Sequence, residues 1–87
     1  MNLYRIYHTE NRGYDTYDSA IVCAESEEEA ILWHPNGTLN YSEDNRTIFT
    51  DRVYGSWVKK KYVKVVLLGK ANDELIAGVI LASFNAG

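Results

Sequence analysis

The chain has 87 residues and a mass of 9.9 kDa, which is room for one domain. Area scaling buries about 64% of the extended-chain surface, enough for a single thin core, and 46% hydrophobic residues exclude a disordered chain. The net charge of −3 hides a split: residues 1–45 carry two basic residues against nine acids, and residues 46–87 carry seven against three.

Leu3-Tyr4-Arg5-Ile6-Tyr7-His8 is rich in strand formers, and residues 3–8 are expected to form the first strand. Asn11-Arg12-Gly13 reads as a turn, because Asn and Gly tolerate positive φ. Residues 19–24 give the second strand, with Ile21 and Cys23 on one face and Ala20, Val22 and Ala24 on the other. Both faces are apolar, so a central strand and an opening antiparallel hairpin are expected. Ser26-Glu27-Glu28-Glu29 is a capping box, in which the Ser26 hydroxyl accepts from the Glu29 amide. Its three glutamates suit the positive end of the helix dipole. A helix over residues 27–34 follows, packing Ala30, Ile31 and Trp33 on the sheet, with Pro35 ending it at His34. His34 is then placed to interact with the carboxyl end of that helix.

Asn36-Gly37 is a turn signal, and residues 38–41 and 47–49 are short strand candidates separated by a polar loop. Residues 62–68 are a β-branched run that predicts the next strand. Residues 73–76 suggest one helical turn closed by Gly78, and residues 79–84 give the last strand. The sum is an α+β domain: an antiparallel sheet of four to five strands with one short helix on one face. A thin core and segregated charge lead to the expectation of a homodimer or higher homo-oligomer, with complementary contacts between the two halves.

The residue inventory argues against catalysis. Cys23 lies in an apolar strand, where a thiol behaves as a small hydrophobe, and a single cysteine makes no intrachain disulfide. His8, Cys23 and His34 match no zinc spacing, and no phosphate-binding glycine motif is present, so neither metal nor cofactor is expected. Asp15 and Asp18 suit a turn better than a catalytic pair. What remains is basic and aromatic interleaving, with Arg46, Arg52, Lys59, Lys60, Lys61 and Lys64 among Tyr54, Trp57 and Tyr62. In an extended strand Lys59 and Lys61 share a face with Trp57. The acidic balance argues against long DNA, and two or three cations beside a ring suffice for a small phosphorylated ligand. Seven tyrosines and two tryptophans exceed what an 87-residue core hides.

Three segments together resemble a family of small uncharacterised bacteriophage-encoded proteins. They are Tyr14-Asp15-Thr16-Tyr17-Asp18-Ser19-Ala20, then Ser26-Glu27-Glu28-Glu29-Ala30 leading to His34-Pro35, then residues 78–87, Gly-Val-Ile-Leu-Ala-Ser-Phe-Asn-Ala-Gly. The family brings no activity with it. What the resemblance implies is a setting: a phage accessory protein in the host cytoplasm that acts by binding. With no basic-then-apolar leader pattern at residues 1–5, a cytoplasmic location is expected from the sequence as well. The expected function is anti-defence: sequestration of a small nucleotide immune signal without turnover. Tyr17 and Trp57 are the expected stacking rings, and Lys59, Lys61 and Arg46 the phosphate partners. Asp15, Asp18 and Asn85, from the family-like segments, are expected to read polar groups. Direct inhibition of a host defence protein, and a phage structural or accessory role, are the alternatives.

Overall fold

The computed structural model describes residues 1–9, 16–39 and 57–85, with backbone only at Thr16, Phe84 and Asn85. Four strands form one antiparallel sheet: β1 (Asn2–Tyr7), β2 (Thr16–Ala24), β3 (Lys64–Lys70) and β4 (Gly78–Asn85), in the order β3-β1-β2-β4. β1 and β2 form the expected hairpin and occupy the two central places. One short helix, α1 (Glu27–Ala30), packs on one face, which makes the layout α+β in coarse form. Among the described residues there are four strands rather than five. Leu39 makes only an isolated bridge to Trp33, and residues 47–49 lie outside the described residues.

The register explains which side chains are inside. One face carries Val65, Ile6, Ala20 and Ala82 in a row, and beside it Leu67, Tyr4, Val22 and Val79. Tyr4, Ile6, Ala20, Val22 and Ala24 are buried there beneath Ala30, Trp57 and Val58. The opposite face carries Val66, Arg5, Ile21 and Leu81 in one row. No described element covers it, and Arg5 lies over the Tyr7 ring at 4.5 Å. Cys23, on that face, is buried through Met1, whose sulfur lies 3.9 Å from the thiol.

The helix is shorter than its sequence pattern. The Ser26 hydroxyl accepts from the Glu29 amide at 3.2 Å, so the amino-terminal cap forms as expected. Beyond Ala30, however, Leu32 and Trp33 bond back three residues, to Glu29 and Ala30. The coil tightens because Pro35 holds His34 extended, leaving too few residues for another α-turn. Pro35 then sits at the second position of a turn closed by Gly37 N–H to His34 O, 2.8 Å. Gly37 takes φ +100, which a side chain resists. His34 therefore closes no helix; it is buried, 2% exposed, on the inner face.

Two expectations follow for α1. Ser26→Ala removes the cap and should lower stability by about 1 kcal/mol, read as a shift in the urea midpoint. Ile31 is half-buried rather than enclosed. Ile31→Ala should therefore cost only about 1 kcal/mol, not the 2–5 of a fully buried site.

β3 begins at Lys64, not at residue 62, because β1 ends at Tyr7 opposite Lys64 and offers no partner further back. The chain before it coils instead into a 3-10 helix, Lys60–Tyr62, with Tyr62 N–H on Lys59 O at 2.9 Å. The shared strand face of Trp57, Lys59 and Lys61 is thus overturned. Residues 73–76 are likewise not helical: Glu74 N–H meets Asn72 Oδ1 at 2.9 Å in an Asx turn. No helix among the described residues is long and apolar enough to cross a membrane.

Candidate functional site

Antiparallel order gathers four strand ends at one end of the sheet. Tyr7 closes β1 opposite Lys64 of β3 and Ser19 of β2, while Thr16 opens β2 opposite Asn85 of β4. Candidates far apart in sequence therefore share this end. Tyr17, Asp18, Asn85, Trp57 and the lysines at 59–61 all belong to this end. Asp15 and Arg46 lie outside the described residues.

A bulge is what turns Tyr17 inward. Strict alternation from Ala20 would place Tyr17 on the outer face, with Ser19 and Ile21. The register slips by one residue between Tyr17 and Ser19, leaving Asp18 as the extra residue. Tyr17 consequently packs against the core cluster, and Asp18 points to solvent.

Beneath this end four rings assemble. His8 meets Trp57 edge-on with ring centroids 5.2 Å apart, and Tyr17 meets His34 edge-on at 5.8 Å. His34 and Trp57 lie 6.5 Å apart, tilted by 53°. The hydrogen bonds fix which nitrogens carry protons. His8 Nε2 lies 3.0 Å from the Tyr17 carbonyl, an acceptor only, so Nε2 is the donor. His34 Nδ1 accepts from the Asn36 amide at 3.0 Å, so a neutral His34 carries its proton on Nε2. Both rings are held by backbone partners. That suits orientation better than proton shuttling.

Trp57 differs from expectation. The sequence leads one to expect a ring stacking at the surface, yet Trp57 is 6% exposed and packs in the core beside Val58. The ring is too large and apolar to leave in water when it can pack on the core cluster beside His8 and His34. Its indole N–H, however, finds no acceptor among the described residues. A buried donor without a partner costs about 1–3 kcal/mol, so its retention calls for a use. Nothing in the local pattern around Trp57 signals burial; the nearest clue is Val58, which makes an apolar pair.

The cations lie on the 3-10 turn that follows Trp57 and Val58. Lys59 and Lys61 are exposed, with Lys61 Nζ 5.1 Å from the centre of the Tyr62 ring. Tyr62 is itself exposed and is the surface ring of this turn. A concavity between α1 and β3 is lined by Glu27, Glu28, Ile31, Val63 and Val65. Its two carboxylates oppose an anionic ligand. Cys23 pairs with Leu3 and Gly78 toward the other end of the sheet, so no Cys–His couple is assembled. Among the described residues no three His, Cys, Asp or Glu side chains gather as a metal site.

No protein-family model, curated protein or solved structure matches this chain.

Proposed function

We propose that the chain is a small non-catalytic binding protein whose ligand is anionic and ring-bearing, of the nucleotide class. The observation that carries the proposal is the sheet end itself. Tyr17, His8, His34 and Trp57 converge there, Trp57 offers a buried donor with no acceptor among the described residues, and Lys59 and Lys61 are exposed on the turn that follows Trp57. Rings supply stacking, lysines supply phosphate charge, and a fixed N–H supplies direction. In the phage setting that the family resemblance implies, the ligand is a signal of host immunity, sequestered in the host cytoplasm. With Trp57 enclosed, stacking passes to Tyr17 and to Tyr62.

Incubation with a panel of cyclic and linear nucleotides, then heat release and chromatography, tests the proposal. Intact ligand recovered after heating supports sequestration, and a converted ligand means turnover. If no nucleotide is retained, a direct protein contact becomes the better reading. The lysines give a quantitative check. Lys59→Ala with Lys61→Ala removes two rim cations worth about 0.5–1 kcal/mol each, so affinity should fall about 5- to 30-fold. The wild-type affinity should also weaken as salt rises.

A further inference from the structure

The two edges of the sheet differ in a way that selects a partner. β3 carries lysine at both ends, Lys64 and Lys70. Pairing β3 with its own copy, antiparallel about Leu67, would set Lys64 against the copy's Lys70, and like charges directly opposite are destabilising. β4 reads Gly-Val-Ile-Leu-Ala-Ser-Phe-Asn, eight residues with neither a charge nor a proline. Among the described residues it is hydrogen-bonded only to β2, and no other described strand lies on its outer side. A long, uncharged, apolar edge is the kind that pairs with another chain. Its side chains agree: Leu81 is 67% exposed and Ile80 47%, with Ile76 exposed just ahead of the strand.

We propose that β4 pairs with β4 of a second copy across a two-fold axis, joining two four-stranded sheets into one of eight. The occupant is a second copy because the strand is self-complementary, with no charge to repel its twin and no charge asking for an opposite one. Pairing β3 to β4 would be head-to-tail and would leave free edges at both ends, an open fibre rather than a closed dimer. β4 against β4 closes, and it hides the apolar edge while leaving the lysine edge in water. The exposed Leu81 side chains gain apolar neighbours in the same step. This inference is independent of the ligand proposal.

The test is analytical ultracentrifugation of the full chain and of two double variants. The wild type should sediment at twice 9.9 kDa at micromolar concentration and dissociate on dilution. Ile80→Lys with Leu81→Lys should weaken the dimer by about tenfold or more, because lysines then face lysines across the two-fold. Val66→Lys with Leu67→Lys, on the other edge strand, should leave the dimer intact. Since both pairs of positions are exposed, circular dichroism should stay native in both variants. Amide exchange provides a readout that needs no variant: β4 amides should slow as concentration rises, while β3 amides do not change. A monomeric wild type overturns the proposal. So does a dimer that survives the β4 lysines, or one lost through the β3 lysines.

Discussion

Ile6→Ala should cost about 2–5 kcal/mol and lower the urea midpoint further than any single truncation in α1. Ile6 is fully enclosed on the inner face, between Val65 of β3 and Ala20 of β2 in the same row. The backbone ladders on both sides fix the strand spacing, so the sheet cannot close over the missing atoms and a cavity remains. For 87 residues a total stability of about 4–13 kcal/mol is expected, and this one change removes a large part of it. Ile31→Ala is the control, since it removes the same atoms from a half-buried position. A midpoint shift at Ile6 no larger than at Ile31 would mean that the sheet face is not the centre of the core.

The second large effect separates packing from recognition at Trp57. Trp57→Ala should cost about 3–5 kcal/mol, because the ring fills the space above the sheet end and touches His8 and His34. Loss of binding in that variant would say little, since fold and site fall together. Trp57→Phe is the sharper probe. It keeps an apolar ring and removes the indole N–H, a donor that has no acceptor among the described residues. Stability should therefore change little, because the packing lost is partly offset by removal of an unsatisfied group. If the N–H takes a charged acceptor from the ligand, affinity should drop about 10- to 150-fold, from a hydrogen bond worth about 1.5–3 kcal/mol. Isothermal titration beside thermal melting reads both quantities. Unchanged affinity with native stability would remove Trp57 from the site.

How much of this was legible in the sequence follows from the range of each signal. Alternation at Ala20, Val22 and Ala24 placed the inner face of β2, and the Ser26–Glu29 box placed the start of α1, because both signals are local. The length of α1 was not legible. Glutamate and alanine favour continuation, and how far back the restriction at His34 and the turn of Pro35, Asn36 and Gly37 reach into the coil is not written in the local pattern. The inward turn of Tyr17 depends on a bulge, and a bulge shifts parity without changing composition. The start of β3 is set by where β1 ends, a fact about a partner 57 residues away in the chain, Tyr7 opposite Lys64. The two histidines carried no mutual signal at all. Both reach Trp57 only because β1 and the turn after α1 come to the same end of the sheet.

The claim on which the functional reading rests is that the Trp57 N–H is held in reserve for a ligand. Nitrogen-15 labelling of the indoles tests it directly, with Trp57→Phe used to tell the Trp57 signal from that of Trp33. On adding a nucleotide from the panel, the Trp57 Nε1–H resonance should move downfield as it gains an acceptor, while that of Trp33 stays in place. A Trp57 resonance that does not move for a nucleotide the protein demonstrably retains would contradict the account.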